Sequence, residues 1–147
     1  MGQTFQKVLK TIIVLTGVVF VLLTALPVLN HERRVSNDSA AVANLRTINA
    51  AEYTYRDSYG GGRFGALTDL VQMQLIEDTF LGRKTGYRYS ITVDATGYTA
   101  SAMPASKEMG KYGYVSRSDA VVRYAEQASP ECTPCFPKGK AGEIVRD

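Results

Sequence analysis

Tryptophan is absent from this chain of 147 residues, histidine occurs once and cysteine twice. A single histidine, His31, beside a charged patch leaves no arranged partner for a Ser/His/Asp-type relay. One His and two Cys also fall short of the ligand sets of common zinc sites. No acidic residue precedes Glu32, and no charge lies between Lys10 and His31. Net charge is also scarce. The whole chain carries 17 basic and 14 acidic side chains, and removing Lys7 and Lys10 leaves 15 against 14 from His31 onward. This near balance from His31 onward argues weakly against a nucleic-acid partner, which usually needs a basic face. The residues therefore point to no catalytic site, cofactor site or metal site, and to no nucleic-acid partner.

What is present begins with one uncharged run. Thr11-Ile-Ile-Val-Leu-Thr-Gly17-Val-Val-Phe-Val-Leu-Leu-Thr-Ala-Leu-Pro27-Val-Leu-Asn30 would extend about 30 Å as a helix, the thickness of a bilayer core. A membrane helix over 11–30 follows, with 1–10 as a short cytoplasmic start. The alternative is a cleaved signal peptide, but Leu23-Thr24-Ala25-Leu26-Pro27 lacks an Ala-x-Ala pattern. Lys7 and Lys10 on one side nearly balance Arg33 and Arg34 on the other, so the short leading end, rather than charge, places the head outside. Pro27 removes one helical hydrogen bond and predicts a kink or local loosening.

Beyond the charged patch no turn signal appears until Gly60-Gly61-Gly62. Ser36-Asn37-Asp38-Ser39 could cap a new helix or lie within a continuous one. Over 31–59, Ala41, Leu45, Ile48, Tyr55 and Tyr59 fall on one helical face, and Glu52 shares it. Glu52 is expected at the stripe's edge, paired with Arg56 one turn on. The tyrosines Tyr53, Tyr55, Tyr59, Tyr87 and Tyr89 read as ordinary core and surface aromatics. The glycine run lacks the Lys-Ser/Thr ending and preceding strand of a phosphate-binding loop.

Residues 60–85 then form a connection with a short helix over Ala66 to Leu75 and a loop through Gly82-Arg83-Lys84. The segment 86–126 holds alternating strands at Tyr87–Val93, Tyr98–Met103, Gly113–Arg117 and Ala120–Tyr124, with a turn at Asp94-Ala95-Thr96-Gly97. An antiparallel sheet of three or four strands is predicted, one face on the helix and the other open to solvent or neighbours. The tail, 127–147, carries Cys132-Thr133-Pro134-Cys135. With the head exported, a small disulfide between Cys132 and Cys135 is expected; redox activity and free thiols are the alternatives. Gly139 to Asp147 reads as polar and mobile.

The string Ser39-Ala-Ala-Val-Ala-Asn-Leu45-Arg-Thr-Ile48-Asn-Ala-Ala-Glu52-Tyr-Thr-Tyr55, following an apolar helix with Pro27, resembles the N-terminal helix of type IV pilins and pseudopilins. Gly86-Tyr-Arg-Tyr-Ser-Ile91, Gly97–Pro104 and Ser118–Tyr124 resemble the strands of the smaller bacterial members. The resemblance implies an α+β pilin-like fold: a long N-terminal helix, half in the membrane and half soluble, packed on a small antiparallel sheet. It also implies a non-enzymatic structural subunit of a type IV pilus or a type II secretion pseudopilus, in the inner membrane or on a surface pilus. Its partners would be the membrane, other pilin-like subunits and assembly machinery. Lys10, Gly17, Pro27, Leu45, Ile48 and Glu52 would then belong to the assembly or anchor helix. The chain differs from the family at Phe5-Gln6, where a Gly-Phe processing junction is expected, and at Lys10, which stands at the early acidic position. Those differences favour a divergent or minor subunit, or an unprocessed anchored binding module that does not polymerise.

Overall fold

The computed structural model describes residues 2–125 and 141–146; within the first helix, the side chains of 2–5, 7–11, 18 and 21–31 lie outside the description. The chain divides into two compact units, Met1–Arg33 and Arg34–Asp147. Helix α1 is assigned over Gly2–Ser58, 57 residues, without a break at Pro27 or at Ser36-Asn37-Asp38-Ser39. The capping alternative at Ser36–Ser39 is thus not taken up. In the first unit Thr16 folds its hydroxyl back onto the Ile12 carbonyl at 2.8 Å, the usual way a helix houses a hydroxyl within an apolar run.

The second unit is α+β: the later half of α1, a short helix α2 (Leu67–Gln72), a 3-10 turn (Asp78–Leu81) and four strands. The strands are β1 (Tyr87–Val93), β2 (Tyr98–Pro104), β3 (Tyr114–Arg117) and β4 (Val122–Tyr124). They form an antiparallel meander in the order β1-β2-β3-β4. β1 begins with the alternation read from its sequence, Tyr87 and Tyr89 inward and Arg88 and Ser90 outward. Tyr89 pairs with Ala102 and Ile91 with Ala100. Those two alanines are fully buried in the same core cluster as Leu45, Ile48, Ala41 and Ala51 of α1. Small residues on the central strand let the helix approach closely, while Tyr87, Tyr98 and Tyr114 fill the flanks.

The tail differs from its sequence reading. Over the described residues 141–146 it is held along β4: Gly142 donates to the Tyr124 carbonyl, Tyr124 to that of Glu143 and Val145 to that of Val122, each at 3.0 Å. Val145 also packs against the core. An otherwise open strand edge supplied backbone partners that composition could not reveal. The 60–85 connection is also more regular than expected, since a 3-10 turn precedes Gly82 and places Phe80 in the core, its ring 5.1 Å from that of Tyr89. Tyr59, assigned to the apolar stripe, is 56% exposed, because the helix ends at Ser58 and the chain turns away.

Leu45 is fully buried in this core. Truncation by Leu45→Ala should cost about 2–5 kcal/mol. Chemical unfolding followed by circular dichroism would show it as a lower midpoint at unchanged slope.

Candidate functional site

The buried face of α1 is not purely apolar. Asn37 Nδ2 donates to the Met109 carbonyl at 2.7 Å, and Asp38 Oδ1 accepts the Lys111 N–H at 2.9 Å and the Tyr87 hydroxyl. Asn44 Nδ2 donates to the Tyr89 hydroxyl at 2.9 Å. Asn49 donates to the Ala120 carbonyl at 3.1 Å and accepts from the Tyr98 hydroxyl at 2.8 Å. Tyr53 donates its hydroxyl to the Ser118 carbonyl. Each bond satisfies a loop or strand group that folding removes from water, so these side chains position the loops as much as they stabilise them.

Glu52 does the same for the connection after α1, and here the sequence reading is corrected. Its side chain is fully buried, and Oε2 accepts the Gly65 N–H at 2.9 Å. Oε1 has no partner among the described residues. Arg56 turns elsewhere: Nε binds Asp57 at 2.7 Å, and the guanidinium lies over the rings of Tyr53 and Phe64, 4.7 and 5.5 Å from their centroids. A neighbouring carboxylate and two aromatic faces draw it away from Glu52. Burial pushes the Glu52 carboxyl up to about 7; the Gly65 bond pulls it down and the charge on Asp69 adds to the rise. Asp38 is also raised by burial, against the lowering effect of the bond from Tyr87.

The loop that Glu52 holds forms one wall of a cleft of about 530 Å³. Tyr55 and Tyr59 at the end of α1, the Gly60–Phe64 turn, Asp69 on α2 and the β1–β2 turn line it. The glycines are structural requirements. Gly61 and Gly62 take positive φ, +58° and +87°, and a Cβ on Gly60 would stand 2.1 Å from the Arg63 carbonyl oxygen. Opposite, Asp94 Oδ1 accepts the Thr96 hydroxyl at 2.6 Å and the N–H groups of Thr96 and Gly97 at 2.7 and 2.9 Å. Those bonds, led by the Thr96 hydroxyl, keep its carboxyl below the usual range. Asp69 Oδ2 accepts the Ala66 N–H at 2.8 Å. The cleft thus combines two tyrosine rings, one guanidinium and two carboxylates, one on α2 and one on the β1–β2 turn, each fixed by its own hydrogen bonds, an arrangement suited to holding a polar ligand.

The other surface of note is apolar. Ile12, Ile13, Val14, Leu15, Val19 and Phe20 of the first unit are all more than half exposed. Among the described residues no helix is long and apolar enough to cross a membrane; the described side chains of the uncharged run are 12–17, 19 and 20. Gly17 is exposed, and a Cβ there would meet nothing within 4 Å. Leu45, Ile48 and Glu52 come together inside the head, so their face of α1 is occupied by the chain's own core and not open to a neighbour. The side chains of Lys10 and Pro27, and both Cys132 and Cys135, lie outside the described residues. Among the described residues no group of three or more His, Cys, Asp or Glu side chains gathers. Periodicity assigns no site role to Asp38, Asn49, Arg63 or Asp94; Asp38 and Asp94 carry only local cap and turn signals, in Ser36-Asn37-Asp38-Ser39 and Asp94-Ala95-Thr96-Gly97.

Glu52 gives the head a defined pH response. Its folded value lies above the ordinary 4.5, so the folded state binds the proton more tightly than the unfolded one. The stability it contributes is complete below about pH 4.5 and is lost as pH rises through about 7. Glu52→Gln should remove a loss of up to about 3 kcal/mol over that window. Unfolding free energies of the two proteins, measured from pH 4.5 to 8, should diverge up to about pH 7 and run parallel above it; parallel curves throughout would show that Glu52 titrates as an ordinary carboxylate. Comparison of the chain with protein-family models, with curated proteins and with solved structures gives no match, so its functional reading rests on these residues.

Proposed function

We propose that the chain is a membrane-anchored, pilin-like structural protein, a divergent or minor component of a type IV pilus or a type II secretion pseudopilus. The observation that supports it most is one helix with two characters: α1 exposes its described apolar side chains near Ile12–Phe20 and buries Ala41, Leu45 and Ile48 on a four-strand antiparallel sheet. Exposed apolar side chains in such a run are stable in lipid or against other apolar helices. In this reading the run over 11–30 anchors the protein in the cytoplasmic membrane, the head lies outside, and the partners are lipid, like subunits and assembly machinery. The role is structural rather than enzymatic.

Lys10 favours a second reading, an anchored binding module that never polymerises. An ammonium at the place where pilins carry an acid cannot neutralise a neighbour's amino terminus, and unpaired it is costly among apolar helices. Phe5-Gln6 in place of a Gly-Phe junction favours the same reading.

Fractionation separates the two. The wild-type chain should stay in carbonate-washed membranes. The double change Val19→Asp and Phe20→Asp, at roughly 3 kcal/mol per acid near the span centre, should release it or block insertion. Retention of the double variant in washed membranes would remove the anchor. Intact mass and N-terminal sequencing of sheared surface material then decide assembly: a chain starting near Gln3 or Gln6 in that fraction supports a processed subunit, and a full-length chain confined to membranes supports the module.

A further inference from the structure

The cleft at the end of α1 has no part in anchoring or assembly as proposed above, and its chemistry is unlike that of a packing surface. Tyr55 and Tyr59 stand with ring centroids 6.4 Å apart and planes inclined by 35°, forming an angled aromatic wall. Tyr55 is fixed: Gly60 and Gly65 lie so close beneath its ring that a Cβ on either would come within about 3 Å of it. Tyr59 is 56% exposed and lines the cleft, so its ring face is open to a ligand there. Around this wall the polar groups are mixed in sign. Arg63 is exposed, with no ion pair among the described residues. Asp69 commits one carboxylate oxygen to the start of α2 and Asp94 one to the β1–β2 turn, and each keeps the other for an outside donor.

We infer that this cleft is a saccharide-binding site, taking one or two neutral sugar units with a pyranose C–H face on Tyr59 and hydroxyls bridged to Arg63, Asp69 and Asp94. A sugar ring presents an apolar face and a belt of groups that both donate and accept. It therefore needs a flat aromatic surface bordered by both kinds of partner. Two carboxylates against one guanidinium disfavour a polyanion such as phosphate. The volume of about 530 Å³ lies within the roughly 300–1,000 Å³ of small-ligand sites. The wall is preorganised, since Glu52 holds the loop from behind through Gly65 and Asp94 fixes the facing turn. The inference is independent of filament assembly, because every residue in it belongs to the second unit.

The test is saturation-transfer NMR on the full chain in an amine-oxide detergent, which carries no sugar headgroup. The probes are cellobiose, lactose and N,N′-diacetylchitobiose, with tetramethylammonium as the contrasting ligand. At least one disaccharide should show transfer strongest at its ring C–H protons, with a dissociation constant on the order of 1 mM or tighter. Tyr59→Ala should weaken it about tenfold or more, Tyr59→Phe should retain it, and Asp69→Asn should weaken it while leaving the circular dichroism spectrum unchanged. Absence of transfer from all three sugars, transfer undiminished in Tyr59→Ala, or binding of tetramethylammonium alone would overturn the inference; the last outcome would assign the cleft to a cationic ligand.

Discussion

The head depends on one constraint: backbone groups that the sheet and its loops carry out of water must find partners, and a single helix supplies many of them. Asn37, Asp38, Asn49, Glu52 and Tyr53 each reach a main-chain group outside α1. A helix is a stiff ruler with 1.5 Å per residue, so residues spaced along one face hold loops distant in sequence at fixed separations. The apolar members of the same face, Ala41, Leu45 and Ile48, supply the burial that brings helix and sheet together. The polar members then decide where each loop stops.

Two places show what this arrangement costs. At Asp38, the Tyr87 hydroxyl lies in reach of both the carboxylate and the Tyr112 carbonyl, and one phenolic hydrogen serves only one acceptor at a time. Burial raises the Asp38 carboxyl, and a retained proton there would let both acceptors be served. At Glu52 one oxygen accepts from Gly65 while the other has no partner among the described residues, a destabilising element near neutral pH. Retaining such a group makes sense where the loop it positions matters more than the stability it forfeits, and that loop forms one wall of the cleft.

The same helix separates two kinds of surface. Near Ile12–Phe20 the side chains are apolar and exposed; beyond Arg34 the inward face is consumed by the head's own core. The Leu45–Ile48 stripe is therefore closed to a partner of the second unit, since the head's own core already covers it. On the outer sheet face the Ser90 and Ser101 hydroxyls bond across β1 and β2 at 2.7 Å, in keeping with a wet, polar surface.

Local pattern by itself determined the main helix and the strands, but not the 3-10 turn at Asp78–Leu81. Alternation set β1 from Tyr87 to Val93, Asp94-Ala95-Thr96-Gly97 set the turn, and the 3.6-residue stripe set the inward face of α1 through Ala41, Leu45 and Ile48. These are local patterns, legible because side-chain direction repeats with backbone geometry. Tertiary structure alone decided the partners. Glu52 lost Arg56 to Asp57 and two aromatic rings, and residues 142–145 found β4. Asp38 met a loop more than seventy positions away. The cleft was equally hidden, since Tyr59, Asp69 and Asp94 belong to the end of α1, to α2 and to the β1–β2 turn, which come together only when the helix closes on the sheet. Composition records which groups a chain has; hydrogen bonding and desolvation between distant segments decide which of them meet.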